Sequence, residues 1–118
     1  SIISMVRIRL RRVGSRNQAS YRVTVADKES PRDGRFIETV GHYNPRTEPS
    51  TVVLKDDRVF YWLSVGAQPS EAVDGLFKQT GLWERYERFK NGEDVDTLVE
   101  EANEVYQNRV TDPRTNPQ

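Results

Sequence analysis

An α+β fold is the architecture this sequence predicts: a mostly antiparallel sheet of about four strands with two helices packed on one face, plus a C-terminal helical extension. Three observations carry the prediction. Apolar and polar residues alternate at a period of two through the first half of the chain. After Lys55 the apolar period becomes that of an α-helix. Clusters rich in Gly, Pro, Asn and Ser stand between these segments, where a chain turns.

Taken in order, residues 5–10 place Val6, Ile8 and Leu10 on one side and Arg7, Arg9 and Arg11 on the other, a half-buried strand. Residues 14–18 read as a loop. Tyr21, Val23 and Val25 alternate with Arg22 and Thr24, giving a second strand and a hairpin with one apolar and one basic face. Residues 30–34 hold a Pro and a Gly and read as a turn. Residues 36–43 form a third strand, ended by Asn44-Pro45, and residues 51–54 a short fourth. Val59, Trp62, Leu63 and Gly66 then recur at helical spacing, so residues 56–65 form a helix with Asp56 and Asp57 at its positive end. Residues 68–70 break the chain. Ser70 is a good N-cap for a second helix, which turns Val73, Leu76 and Phe77 inward and ends at Gly81. Val6, Ile8, Leu10, Val23, Val25, Val59, Trp62, Leu63, Leu76 and Phe77 are the expected core. Asn91-Gly92 separates two further helical stretches. The second, about residues 94–107, carries Leu98, Ala102, Val105 and Tyr106 on one stripe and so should pack on protein, with Trp83, Tyr86 and Phe89 as anchors. Residues 111–118 should be a frayed tail.

Composition removes several classes of function. The chain has 118 residues, one domain's worth. It has no cysteine, which excludes disulfides, thiolate metal sites and cysteine nucleophiles. Its one histidine, His42, has no local nucleophile or orienting acid, so it reads as structural or surface. Residues 93–96 are acidic but lack the ligand spacing of a calcium loop. They read as acids opening a helix, and Glu84, Glu87, Glu100, Glu101 and Glu104 as a solvated helix face. No glycine loop cradles phosphate and no nucleophile elbow is present. No apolar run approaches the 18 or so residues of a membrane span, and the N-terminus lacks the pattern of a secretory signal. The expectation is therefore no enzyme, no metal, no cofactor, no membrane and no DNA.

Charge points instead to a polyanion. Net charge is zero, but residues 1–46 hold ten Lys/Arg against four Asp/Glu, while residues 47–118 hold eight against fourteen. Nine of the ten cations in the first part are arginine, whose planar fork matches phosphate. Arg7, Arg9, Arg11 and Arg22 project from one hairpin face, Arg12 and Arg16 stand at its loop, and Arg32, Arg35 and Arg46 follow in later turns. Such a spread of donors suits a nucleic-acid backbone. Solvated charge on a strand face is the alternative reading of the same pattern. Tyr21 and Tyr43 suit base stacking and core packing equally.

Val6-Arg7-Ile8-Arg9-Leu10, Gly14-Ser15-Arg16, Tyr21-Arg22-Val23, Asp27, residues 30–38, Gly41-His42-Tyr43-Asn44-Pro45 and residues 61–70 occur in an order that resembles the bacterial-type small-subunit ribosomal protein S16 family, also found in organelles. The resemblance covers about residues 5–83. It implies a small α+β domain that binds small-subunit ribosomal RNA, chiefly its 5′ domain, and supports assembly, in the cytoplasm or in an organellar ribosome. By matching motif it implies RNA contacts at Arg7, Arg9, Arg11, Arg12, Arg16, Arg22, Arg32 and Arg35, with Tyr43, Asn44 and Arg46 at a strand end. Residues 84–118 form an acidic helical extension beyond the shared pattern, whose apolar stripe is expected to pack on this domain's own surface or on a basic neighbouring ribosomal protein. Three features depart from the family: residues 17–20 lack its usual basic loop, the chain is neutral, and the acidic extension lies outside the shared pattern. A protein-interaction adaptor that has lost RNA binding is the second reading this leaves, and a nucleic-acid-processing enzyme a distant third.

Overall fold

Alternation sets the first strand pair. The computed structural model describes residues 6–28 and 36–111. In it β1 (Val6–Val13) and β2 (Ser20–Asp27) pair antiparallel, with Ile8 opposite Val25 and Leu10 opposite Val23. Ile8, Val23 and Val25 are fully buried while Arg22 is exposed, which is the register the alternation predicts. β3 (Glu38–Asn44) and β4 (Thr51–Leu54) continue the antiparallel sheet. The order across the sheet is β4-β3-β2-β1-β5.

Among the described residues the sheet has five strands rather than about four. Gln68 and Pro69, which read in sequence only as a break, form β5 and pair in parallel with Arg7 and Ile8. The Ser70 N–H donates to the Ile8 carbonyl at 2.9 Å. Proline is tolerated because β5 is an edge strand. A bulge at Val40 shifts the pairing of β3 with β2, so Val23 faces Gly41 but Thr24 faces Thr39. A bulge of this kind turns two successive residues to one side. Val40 and Gly41 both face the core, where a Cβ on Gly41 would meet the Val53 carbonyl oxygen at 2.4 Å.

Four helices among the described residues cover the apolar face. α1 (Asp56–Ser64) presents Val59, Phe60 and Trp62 to the sheet. α2 (Glu71–Thr80) opens on Ser70, whose hydroxyl accepts from the Val73 N–H at 3.3 Å, and closes on Gly81 at φ 79°. Both ends are those the sequence predicts. α3 (Leu82–Lys90) follows at once, and α4 (Val95–Thr111) starts after Asp94, whose carboxylate accepts from the Thr97 N–H at 3.0 Å. The predicted core residues are buried except Leu10 and Leu63, which pack half-buried against it.

The last two helices belong to the same core. Phe89 stacks on Phe60 with ring centres 5.0 Å apart, and Trp83 meets Phe77 edge-on at 5.4 Å. Leu98, Ala102 and Tyr106 are buried, and α4 packs on β4, α1 and α3. The surface that receives the amphipathic stripe is therefore the chain's own.

One polar cluster ties the parts together. Arg85 and Asp56 are only 2% and 1% exposed, and the Arg85 Nε donates to Asp56 Oδ2 at 2.7 Å. Arg85 Nη1 donates to the Thr80 carbonyl at 2.8 Å and Nη2 to the Tyr106 hydroxyl at 3.1 Å. That hydroxyl donates in turn to Asp56 Oδ1. Burial, and then the Asp56 charge, keep the Tyr106 hydroxyl protonated and so available as donor. Burial pushes the Asp56 carboxyl above its ordinary range, opposed by Tyr106 and Arg85. Side chains of α1, α3 and α4 and the last carbonyl of α2 thus meet at one satisfied charge pair.

Candidate nucleic-acid interface

Strand pitch builds the basic row. Alternate residues of a strand lie about 7 Å apart along one face, and β1 places Arg7, Arg9 and Arg11 at three such positions on the face away from the helices. β2 sets Ala26, Thr24 and Arg22 opposite them in turn. Thr24 and Ala26 are 2% exposed although they lie on this outer face. Neighbouring side chains therefore cover them, as arginine stems do while the charged heads stay in water. The Thr24 hydroxyl donates to the Arg9 carbonyl at 3.3 Å. Arg11 stands over the ring of Phe36, 5.2 Å from its centre, and Phe36 and Ile37 are exposed beside it.

The bulge in β3 brings His42 onto the same face, opposite Arg22. Partial burial and then the Arg22 charge hold the imidazole below its ordinary pKa. At the end of β3 the Asn44 side-chain oxygen accepts from the Arg46 N–H at 3.0 Å, which leaves the Arg46 side chain exposed in the turn. Arg12 and Arg16 lie at the β1–β2 loop, both exposed, with Arg12 Nη2 donating to the Arg16 carbonyl at 2.8 Å.

The expected residues do not all share one surface. Arg7, Arg9, Arg11 and Arg22 form the row, and Asn44 and Arg46 extend it at the end of β3. Arg12 follows the alternation to the other side of β1. Tyr43 is half-buried on the helix side and stacks on Tyr21, ring centres 5.9 Å apart. Arg32 and Arg35 lie outside the described residues, as do the turn at residues 30–34 and residues 112–118. His42 is the outer-face residue that sequence reasoning missed. The signal for it was Gly41, the one residue small enough for that close approach to β4.

Two groups of arginines stand apart among the described residues. On the helix side Arg58 is held by Glu38 at 2.7 and 2.8 Å, Arg85 by Asp56, and Arg88 by Glu93 and Glu101. On the outer face Arg7, Arg11, Arg22 and Arg46 form no ion pair among the described residues. Nor do the described residues include a group of three or more His, Cys, Asp or Glu placed to hold a metal. No helix among them is long and apolar enough to cross a membrane.

Residues 12–70 match the family described as ribosomal protein S16. The chain is 61% identical over 77 residues to the small ribosomal subunit protein bS16 of Coprothermobacter proteolyticus, a match covering 65% of this chain and 95% of that protein. It is 63% identical over 78 residues to the bS16 of a Roseiflexus species, covering 66% and 82%. The bS16 of Chlorobium phaeobacteroides is 43% identical over 110 residues, which takes in 93% of this chain and 81% of that protein. That last match is too long to stop before the acidic extension.

Proposed function

The chain belongs to the ribosomal protein S16 family, structural and non-enzymatic proteins of the small ribosomal subunit, and from that premise we propose that the outer face of its sheet binds small-subunit ribosomal RNA and supports its assembly. The observation that carries this reading is the division of the arginines. A guanidinium held in a carboxylate fork is already neutralised, whereas Arg7, Arg11, Arg22 and Arg46, which form no ion pair among the described residues, have donors to offer an external anion. Their spacing along and across strands suits successive phosphates better than a single small ligand. Arg9 completes the row and Arg16 stands at the loop beyond it, whereas Arg12 leaves β1 on the other side and would reach RNA from the loop end of the hairpin. Tyr43 and Asn44 sit at the strand end, and Arg32 and Arg35 join by sequence. The family resemblance assigns the 5′ domain of the RNA as the target.

Residues 5–83 carry the RNA-binding part in this reading, and residues 84–118 form the acidic extension. The extension turns Asp96, Glu100 and Glu104 outward from α4. Carboxylates near phosphate add repulsion, so this side faces away from RNA and toward a basic neighbouring ribosomal protein. The working place of the chain is the small ribosomal subunit in the cytoplasm.

Binding of a 5′-domain transcript as a function of salt tests the proposal. Arg22→Ala and Arg7→Ala should each weaken binding and lower the salt slope by about 0.7 to 0.9, with the melting temperature nearly unchanged. Unchanged slopes in both variants would refute the interface. A tagged chain absent from every small-subunit fraction would favour an adaptor instead. Replacing Glu100 and Glu104 with lysine should lower subunit incorporation without weakening RNA binding.

A further inference from the structure

His42 is the only histidine in the chain, and read in sequence it has no chemistry. The fold gives it surroundings. Val40 and Gly41 both turn toward the core, which leaves His42 on the outer face, in register with Arg22 of β2 and Val53 of β4. Arg11 stands one strand further, opposite Arg22. Along β3 the same face carries Thr39 and Asn44, and Lys55 follows β4 exposed. The nearest acid in the strand, Glu38, points to the helix side, where it accepts hydrogen bonds from Arg58 and Trp62. The helices themselves pack on the other face. Among the described residues, the charged groups facing His42 from the packed strands are thus cations.

We propose that His42 is a phosphate contact of the basic face, forming with Arg22 a two-residue site for one RNA phosphate. The proposal rests on the RNA-binding reading above and goes beyond it by adding a residue that titrates. Cross-strand neighbours have Cβ atoms about 4.5–5.5 Å apart, so the two side chains converge on a single phosphate. Neutral imidazole offers one N–H donor and imidazolium two.

The site then couples RNA binding to a proton. In the free chain, partial burial and the Arg22 charge keep His42 neutral at pH 7. A docked phosphate offsets the Arg22 repulsion and favours the charged ring. The folded chain bound to RNA therefore holds more protons than the free chain, so binding takes one up. Affinity is independent of pH above the midpoint of the bound state. It rises, by at most about tenfold per pH unit, as pH falls between the bound and free midpoints, and levels off below the free midpoint.

The test uses the full chain and an in vitro transcript of the 5′ domain of bacterial small-subunit ribosomal RNA. With one histidine, an NMR titration of the imidazole needs no assignment and no variant. The midpoint should rise when the transcript is bound. Affinity of the unmodified chain should rise between about pH 8 and about pH 5.5, and this pH dependence should vanish in His42→Gln. At the acid end the salt slope of the unmodified chain should exceed that of His42→Gln by about 0.7 to 0.9. A midpoint that stays or falls in the complex, or a variant that keeps the full pH dependence, overturns the His42 site and leaves the basic face standing. Failure of the unmodified chain to bind the transcript at any of these pH values overturns both readings.

Discussion

Arg85→Met is the substitution that should reveal how the helical layer is held. Methionine keeps most of the length and the apolar stem but removes three contacts at once. Asp56 loses its cation at 2.7 Å, the Thr80 carbonyl loses a donor at 2.8 Å, and the Tyr106 hydroxyl loses one at 3.1 Å. Breaking a buried ion pair from one side costs about 3–5 kcal/mol, because the remaining charge has no solvent. For a chain of this size each kcal/mol moves the melting temperature by about 4 °C, so a drop of about 12–20 °C is expected. The sign of its pH dependence is also fixed. Burial already pushes the Asp56 carboxyl up, and without Arg85 it rises further. The folded state then binds a proton that the unfolded state releases, so the deficit shrinks on acidification and grows as pH rises through the folded midpoint. Replacing both partners, Asp56→Leu with Arg85→Met, should recover much of the loss because no lone charge stays buried. Thermal melts by circular dichroism at about pH 7 and about pH 5 read all of this. A single variant melting within about 4 °C of the unmodified chain, or a double variant no better than the single one, would refute the reasoning.

Three other residues give outcomes that follow from geometry. Gly41→Ala would press its Cβ onto the Val53 carbonyl at 2.4 Å and Leu54 Cδ2 at 2.8 Å, so it should cost at least about 1–3 kcal/mol in a urea melt. Gly75→Ala has open space around its Cβ in the middle of α2 and should stabilise by about 0.5–1 kcal/mol. Glu38 is held below the ordinary carboxylate range chiefly by the Arg58 hydrogen bonds, with Trp62 adding to them. A depressed folded pKa gives stability that is present above the unfolded value and lost as pH falls through the folded one, so Glu38→Gln should lower the melting temperature near neutrality and flatten its decline in acid.

Much of this fold was legible because the burial of residues 6–28 and 36–64 largely follows local periodicity. Val6, Ile8, Val23 and Val25 announce their side by spacing alone, and Val59 and Trp62 do so at helical spacing. Ser70 and Gly81 mark helix ends through the chemistry of one residue each. What stayed hidden depends on partners far along the chain. Gln68 and Pro69 become a strand only because β1 lends them hydrogen bonds. Arg85 looks like surface charge until Asp56, 29 residues earlier, takes it into the core. The basic row was readable from Arg7, Arg9, Arg11 and Arg22, but its edge was not. A bulge breaks the period of two, so the alternation of β2 could not say on which face His42 stands. Tyr43 shows the opposite case, since its stacking on Tyr21 follows from the same alternation that aligns Tyr21 with Val23.

On the proposed RNA-binding reading, the segregation of carboxylate-held arginines from the basic row has a consequence for how the molecule would approach RNA. With zero net charge the chain feels little monopole force, and beyond about 8–10 Å of salt solution even that is screened. Close to a polyanion the potential is steep, and an object with a cationic front and an acidic back experiences a torque. Rotation, rather than attraction, becomes the first effect of the encounter. A molecule arriving helices-first is turned or pushed off, and one arriving sheet-first is drawn in. A uniformly basic protein of the same shape would cling in any orientation to any nucleic acid nearby. This chain would trade reach for aim, spending less time on wrong sites and arriving at the right one already facing it.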